Sequence, residues 1–266
     1  MGALAARRTA TIDGVRLAGS HAGQLFYIRE LAGGRDRFLV ELLTRAVPAG
    51  GTAVDAGAHI GYLTVHLARA VGPEGRVFAF EPEPDARRAL TRNLQRNEVA
   101  GRVTVLPHAL GAAAGRAVLH VGGGGETSSL ASVPGERATA EVEVVALDEV
   151  LPQSQRVDVV KLDLEGGETA ALRGMTGILA RSPAAVLVVE CNPGRLEAMS
   201  SSQEELLACL ADLGFTSRLI DEDRRELSET SAVPGEYVNL LCARGQHVSK
   251  VLEESDHQDR RRQEGT

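Results

Sequence analysis

The feature of the sequence that most constrains its fold is a regular alternation of short apolar runs with segments of helical spacing. The runs predicted to be strands are Thr52–Asp55, Arg76–Phe80, Val103–Leu106, Val157–Leu164 and Ala184–Glu190. Helical spacing is found at Tyr62–Ala70, Asp85–Asn97, Glu168–Arg173 and Glu204–Leu213. Near-continuous apolar strands are typical of a parallel sheet covered on both faces. The alternation therefore predicts a doubly wound α/β sheet.

Three parts of the chain lie outside this alternation. Residues 111–147 contain two β-like runs around a glycine-rich loop, which predicts a hairpin-like insertion in a domain spanning residues 37–245. The loop tip, Gly122–Gly125 with Thr127, Ser128 and Ser129, is either a lid over a substrate or an exposed turn. Residues 1–36 are predicted to form a cap or extension, and Tyr237–Ala243 a late strand. The tail, residues 246–266, has almost nothing to bury and is predicted to be disordered.

Composition narrows the classes of partner. The formal net charge of −7 argues against a nucleic-acid partner. No window has the uninterrupted apolar length of a membrane span. The three cysteines lack metal-ligand spacing and are typical of reduced thiols in a cytoplasm. We therefore expect a cytoplasmic protein without a nucleic-acid or membrane partner. Its oligomeric state stays open, with a homodimer as one option.

The segment VDAGAHIGY, residues 54–62, runs from a strand through glycines into a helix. Glycines let the backbone approach a ligand, and the cleft of a doubly wound sheet lies beyond the carboxyl ends of its strands. A nicotinamide enzyme is expected to show GxGxxG here, whereas this chain has GxxxG preceded by Asp55. A carboxylate serves a pyrophosphate poorly and an ammonium group well. The loop therefore favours S-adenosylmethionine, with its zwitterionic amino-acid end and cationic sulfonium, as cofactor.

Two further strand ends carry acidic residues. Glu81 follows the second strand, where a carboxylate can accept hydrogen bonds from ribose hydroxyls. In VVKLDLEGGET, residues 159–169, strand alternation places Lys161, Asp163 and Glu165 on one face. Asp163 is the first choice to face cofactor and substrate. The alternative is an ion pair with Lys161, whose buried ammonium needs a partner, and Glu190 is a second candidate for that partner. Glu165 either contacts the substrate or shapes the loop, and Glu168 is predicted to be structural.

Taken together, these motifs resemble the FkbM-type methyltransferases, which are S-adenosylmethionine-dependent enzymes of the class I methyltransferase fold. The matching segments are DAGAHIG, FEP, KLDLEGGE and VVECNP, within roughly Arg37 to Ala243. The resemblance implies a seven-stranded, mostly parallel Rossmann-like sheet whose last strand is antiparallel. It also implies a cofactor site made of Asp55, Ala56, Gly57, His59, Gly61, Glu81, Pro82, His108 and Ala109. Asp55, Gly57 and Gly61 would hold the methionine end, while His59 stands where asparagine is expected.

The resemblance further implies methyl transfer to a hydroxyl oxygen. Such a displacement requires alignment of the nucleophile and a group that takes up its proton. The predicted catalytic residues are Asp163, Glu165 and Glu190, without a metal. One alternative is Mg²⁺ held by Asp163, Glu190 and Asn192 beside a substrate diol, and others are an NAD(P)-dependent oxidoreductase or a non-catalytic cofactor-binding scaffold. With no Trp and 3% aromatic residues, a large aromatic cage is not expected. The predicted acceptor is a hydroxylated small molecule, such as a sugar, glycoside or polyketide of bacterial secondary metabolism.

Overall fold

The computed structural model describes residues 9–122, 128–132, 138–230 and 237–245. Its strands are β1 (Thr9–Ile12), β2 (Val15–Ala18), β3 (Thr52–Ala56), β4 (Arg76–Phe80), β5 (Val103–Leu106), β6 (Ala109–Leu110), β7 (Gly115–Val121), β8 (Ser128–Ser129), β9 (Ala138–Val145), β10 (Val159–Leu162), β11 (Val186–Cys191), β12 (Thr216–Asp221), β13 (Glu226–Glu229) and β14 (Val238–Ala243). Its helices are α1 (Ala22–Ala32), α2 (Arg37–Ala46), α3 (Tyr62–Ala70), α4 (Pro84–Arg96), α5 (Leu147–Val150), α6 (Glu168–Arg173), α7 (Thr176–Arg181), α8 (Pro193–Ala198) and α9 (Gln203–Asp212), with a 3₁₀ turn at Ala100–Arg102. The predicted disordered tail and residues 123–127 of the loop tip lie outside the described residues.

The central sheet has the order β13-β12-β14-β11-β10-β3-β4-β5 within the described chain. Strands β11, β10, β3, β4 and β5 pair in parallel, and β14 lies antiparallel between β11 and β12. The predicted core of seven strands with an antiparallel last strand is therefore confirmed. An eighth strand, β13, lies at the edge because Glu226–Glu229 folds back on β12 as a hairpin.

Apolar clusters cover both faces of this sheet, as the continuous apolar strands predict. Every residue of β3, β10 and β11 is buried. One cluster packs Leu42, Leu67 and Leu90 on one side, and a second packs Leu172 and Leu210 on the other. Because the five parallel strands point the same way, their carboxyl ends meet at one edge of the sheet.

Strand β10 ends two residues earlier than predicted, at Leu162 instead of Leu164. The N–H of Asp163 still donates to the carbonyl of Ala56, but the N–H of Leu164 donates to the carboxylate of Glu168 instead of to a strand. Glu165 then adopts a positive φ of 52°. The prediction that strand alternation places Glu165 on the face of Asp163 is therefore wrong, because the chain has already left the sheet.

Residues 111–147, predicted as a hairpin-like insertion, supply three strands of a second, four-stranded sheet. Strands β7 and β9 pair antiparallel, with β6 parallel to β9 and β8 antiparallel to β7, in a four-stranded sheet ordered β6-β9-β7-β8. Leu119, Ala109 and Val142 form its own small apolar core. Since β6 follows β5 by two residues, this second sheet stands beside the carboxyl edge of the central sheet.

Residues 9–36 pack against the central domain through buried hydrogen bonds. The β1–β2 hairpin is fixed by Asn93 of α4, whose Oδ1 accepts the N–H of Ala18 at 2.9 Å and whose Nδ2 donates to Ile60 at 2.9 Å. Asn97 binds the backbone of Arg16 in the same way. This anchoring holds α1 beside the carboxyl edge of the sheet. No helix in the described ranges is long and apolar enough to cross a membrane.

Candidate active site

A cleft opens at the carboxyl ends of β3, β4, β10 and β11. Among the predicted site residues, those that line it are Asp55, Gly57, His59, Glu81, Pro82, His108, Ala109, Asp163, Glu165 and Glu190. Ala56 and Gly61 do not line it. Ala56 is buried within β3, and Gly61 begins α3 with a φ of 90° against Leu90. These two residues therefore support the turn from behind instead of facing the cleft.

The turn after β3 brings two backbones into close contact. Gly57 has a φ of 80°, and a Cβ at this position would overlap the carbonyl oxygen of Asp163. The N–H groups of Gly57 and Ala58 both donate to Phe80, and the N–H of His59 donates to Glu81. Because these N–H groups are engaged within the protein, the turn does not offer them to a pyrophosphate. The geometry agrees with the prediction that this loop is not a dinucleotide site.

Lys161 lies at the centre of a buried charge network. Its Nζ is 3.1 Å from Asp163 Oδ2 and 3.8 Å from Asp55 Oδ1, and it donates to the carbonyl of Gly57 at 3.0 Å. The second oxygen of Asp55 accepts from Thr64 Oγ1 at 2.6 Å. Burial works to lower the pKa of Lys161, but the two carboxylates outweigh it and raise that pKa. Asp163 is thus the partner predicted for Lys161, and Asp55 is a second one.

The three predicted catalytic acids differ in protonation. Burial works against the charged form of Asp163, yet the Lys161 ammonium and hydrogen bonds from Lys161 and Glu190 lower its pKa below the ordinary value. Burial, reinforced by Asp163, raises the pKa of Glu190 well above its usual range. Burial and Asp163 also raise the pKa of Glu165 to about 7, although Arg195 Nε lies 3.1 Å from its carboxylate. The surroundings therefore favour the ionised form of Asp163 and the protonated form of Glu190, while the pKa of Glu165 lies close to neutral pH.

Glu168 holds the loop that carries Glu165. One oxygen of its carboxylate accepts the N–H of Leu164 at 2.7 Å and the N–H of Gly166 at 3.3 Å. The Glu168 side chain is buried beneath the turn, and Gly166 continues it with a φ of 105°. Glu168 therefore acts structurally, as the sequence predicts.

Glu81 fixes the turn after β4 and still faces the cleft. Its Oε2 accepts the N–H of His59 at 2.7 Å, and its Oε1 accepts the N–H of Glu83 at 2.8 Å. Burial raises its pKa to about 7 despite these two hydrogen bonds. Since a carboxylate oxygen accepts at two lone pairs, one acceptor position on each oxygen is left for a ligand hydroxyl.

Several buried polar atoms of the cleft residues have no hydrogen-bond partner. They are Asp55 Oδ1, His59 Nε2, His108 Nδ1 and Glu190 Oε2. Buried polar groups in proteins are nearly always hydrogen-bonded, so these atoms indicate a ligand with complementary polar groups. An ammonium group beside Asp55 and the nitrogens of an adenine beside His108 are groups of this kind. The residues present therefore fit a nucleoside that carries an amino-acid end.

One of the three residues considered as Mg²⁺ ligands does not face the cleft. Asn192 caps α8, where its Oδ1 accepts the N–H of Arg195 at 3.3 Å, and it does not line the cleft. In the part of the chain that the structure describes, no group of three or more His, Cys, Asp or Glu side chains is placed to hold a metal ion.

One wall of the cleft is made of residues that sequence reasoning did not single out. They are Phe26 and Tyr27 of α1, Arg35 and Asp36 at the α1–α2 junction, and Tyr237 and Asn239 at the start of β14. They come from opposite ends of the chain, and no local motif connects them. The one available signal was the adjacent aromatic pair Phe26-Tyr27 in a chain with 3% aromatic residues.

The strand order, the glycine turn after β3 and the acid after β4 define a class I S-adenosylmethionine-dependent methyltransferase fold. The Methyltransferase FkbM domain matches residues 55–217. The chain belongs to the FkbM methyltransferase family, whose methyl donor is S-adenosylmethionine. The alternative of an NAD(P)-dependent oxidoreductase is thereby set aside.

Individual relatives are similar at moderate identity. The chain is 30% identical to the hexuronic acid methyltransferase AglP of Haloferax volcanii over 162 residues, which cover 59% of this chain and 62% of that protein. It is 27% identical to the methyltransferase sdnD of Sordaria araneosa over 214 residues, covering 68% of this chain and 78% of that protein. A solved SAM-dependent O-methyltransferase from Thermotoga maritima aligns at 16% identity with a TM-score of 0.46, covering 86% of this chain and 73% of the other. The chain therefore spans less than two thirds of AglP.

Proposed function

We propose that this protein transfers the methyl group of S-adenosylmethionine to a hydroxyl oxygen of a small polar acceptor of the sugar, glycoside or polyketide type. The observation that carries the proposal is the Asp163 carboxylate, whose side chain is 39% exposed in the cleft beside the glycine turn. A carboxylate in this place can accept the hydrogen bond of an alcohol and orient its oxygen. The relative named a hexuronic acid methyltransferase favours a sugar-like acceptor.

The cofactor side of the cleft is assigned by the chemistry of its residues. Asp55 would accept a hydrogen bond from the ammonium group, Glu81 would bind the ribose hydroxyls, and His108 with Ala109 would border the adenine. When bound, S-adenosylmethionine supplies an electrophilic methyl group on a sulfonium. The Asp55 and Asp163 carboxylates favour a positive charge near the turn, because Lys161 offsets only one of the two.

We assign a different role to each of the three acids that line the acceptor side of the cleft. Asp163 is a weak base because Lys161 stabilises its ionised form, so its role is to align the hydroxyl. Glu165, with a pKa of about 7, has the basicity that suits a proton acceptor at neutral pH. The raised pKa of Glu190 favours its protonated form, which donates a hydrogen bond to Asp163 and fixes that carboxylate in place.

Calorimetric titration with S-adenosylhomocysteine tests the cofactor assignment. We expect binding to the wild type and an approximately tenfold weaker Kd for Glu81→Gln, since a hydrogen bond to a charged group contributes about 1.5 kcal/mol or more. Glu74→Gln, an exposed acid in the turn before β4, is the matched control and should bind as the wild type does. Absence of binding to the wild type would contradict the proposed function. Unchanged binding to Glu81→Gln would remove Glu81 from the ribose site.

A further inference from the structure

We propose that the acceptor is a carboxylated sugar and that Arg35, which lines the cleft, binds its carboxylate. This inference rests on the proposed function and specifies its substrate class. The wall consists of Phe26, Tyr27, Arg35, Asp36, Tyr237 and Asn239, and we call it the acceptor wall.

The acceptor wall lies outside the part of the chain that the family shares. The FkbM domain match covers residues 55–217, which includes the glycine turn, Glu81, Asp163 and Glu165. Every residue of the acceptor wall lies before or after that range. The matched range thus holds the cofactor residues and the acids that act on the acceptor hydroxyl, and the acceptor wall outside it is where we place the selection of the acceptor.

The accessible cation of the cleft is Arg35. Among the described residues that line the cleft, the Lys and Arg side chains are Lys161 and Arg35. Lys161 is 4% exposed and engaged by two carboxylates and a carbonyl. The Arg35 side chain is 45% exposed, and its Nε is 3.7 Å from Asp36 Oδ1. Of these two cations Arg35 is therefore the one accessible to an anionic group in the cleft, and a planar guanidinium matches a carboxylate with two parallel hydrogen bonds.

Asp36 is the acidic neighbour of Arg35 at this wall. Its carboxylate is buried and its second oxygen accepts from the Tyr27 hydroxyl at 3.3 Å. Burial raises the pKa of Asp36, which the Arg35 charge opposes. The guanidinium is held at the wall by Asp36, whose Oδ1 lies 3.7 Å from its Nε, and by a hydrogen bond to Tyr237.

Aromatic rings line the same wall as Arg35. The guanidinium lies 5.8 Å from the centroid of the Tyr27 ring, and the side chains of Phe26 and Tyr237 are 46% and 43% exposed. The chain has five Phe, three Tyr and no Trp, and three of these eight rings meet at this wall. A low aromatic content thus does not keep aromatic surface from the site, because the few rings are concentrated here. Exposed rings beside a guanidinium suit a ligand with an apolar ring face and one anionic group.

The opposite charges of the two sides orient such a ligand. Asp163 and Glu165 repel a carboxylate and accept hydrogen bonds from hydroxyls, whereas Arg35 attracts the carboxylate. A sugar acid bound with its carboxylate at Arg35 therefore presents hydroxyl oxygens, not the carboxylate, to Asp163. The acceptor wall in this way selects both the ligand and the atom that is methylated.

The test compares two probes that differ only in the carboxylate, 4-nitrophenyl β-D-glucuronide and 4-nitrophenyl β-D-glucoside. Binding of each to the protein saturated with S-adenosylhomocysteine is measured by calorimetry or ligand-observed NMR. For the wild type we expect the glucuronide to bind at least about tenfold more tightly, as expected for hydrogen bonds to a charged group. Arg35→Met should reduce this preference to about twofold or less, and Arg35→Lys should retain part of it.

Controls separate this inference from the proposed function. Arg29→Met removes an exposed arginine of α1, the helix that precedes Arg35, and this arginine does not line the cleft, so the variant should keep the wild-type preference. Three results would overturn the inference: equal affinity of the wild type for both probes, failure to bind either probe, or a preference that survives Arg35→Met. In each case, S-adenosylhomocysteine binding by the wild type would still uphold the proposed function. The inference would also be overturned if Arg35→Met bound S-adenosylhomocysteine more weakly but still preferred the glucuronide. Arg35 would then bind the carboxylate of the cofactor.

Discussion

Asp163→Asn separates a catalytic from a structural role for the central carboxylate. The substitution keeps the shape and an oxygen that can accept from Lys161, and Lys161 retains Asp55 and the carbonyl of Gly57. Because the Asp163 side chain is 39% exposed, loss of the ion pair should cost about 1 kcal/mol instead of the larger value for a fully buried pair. The melting temperature should therefore fall by roughly 2–4 °C.

The effect on methyl transfer should be much larger. A hydrogen bond from the acceptor hydroxyl to a carboxylate contributes about 1.5–3 kcal/mol, which corresponds to a loss of roughly 10- to 150-fold in kcat/KM. The assay is transfer of labelled methyl at saturating S-adenosylmethionine, together with S-adenosylhomocysteine affinity and thermal unfolding. Asp223→Asn, an exposed acid in the turn after β12, is the control for the loss of one charge. Wild-type turnover by Asp163→Asn would show that Asp163 serves only as the structural partner of Lys161.

Three further predictions concern the pH profile, the turn and metal dependence. Glu165 must lose its proton before it can accept another, so kcat/KM should rise with pH through about 7. Glu165→Gln should abolish this rise. A rise that persists in Glu165→Gln would show that another group causes the pH dependence. Gly57→Ala should weaken S-adenosylhomocysteine binding at least about tenfold, because the new Cβ displaces the backbone of Asp163. The control is Gly72→Ala, at a glycine with a φ of 70° and open space around it, which should cost only about 1 kcal/mol of stability. Equal cofactor affinities in the two variants would refute this prediction. EDTA should leave activity intact, and a loss restored by Mg²⁺ would bring back the diol mechanism.

Much of the central sheet was predictable because its signals are local. The strands Arg76–Phe80 and Val103–Leu106 and the helix Tyr62–Ala70 lie where apolar runs and helical spacing place them. Because parallel strands in such a sheet are buried on both faces, their apolar runs are nearly continuous and their positions are easy to recognise. The extra edge strand Glu226–Glu229 was not predictable in this way, since its mostly exposed residues have no apolar pattern.

The candidate site was predictable only where a motif places residues on a strand end. Asp55, Glu81 and Asp163 follow from their positions at the ends of buried strands, and the structure places all three in one cleft. The orientation of Glu165 depends on a positive φ that Glu168 and Gly166 maintain, which no periodicity encodes. The acceptor wall depends on packing between distant segments, which sequence spacing does not report.

The position of the transferred methyl group tests the central claim most directly. The wild type is incubated with methyl-labelled S-adenosylmethionine and 4-nitrophenyl β-D-glucuronide, which offers both hydroxyls and a carboxylate, and the product is analysed by NMR before and after mild alkali. We expect a methyl ether on a ring hydroxyl that survives alkali. A methyl ester that alkali removes, or no transfer to any oxygen, would contradict it.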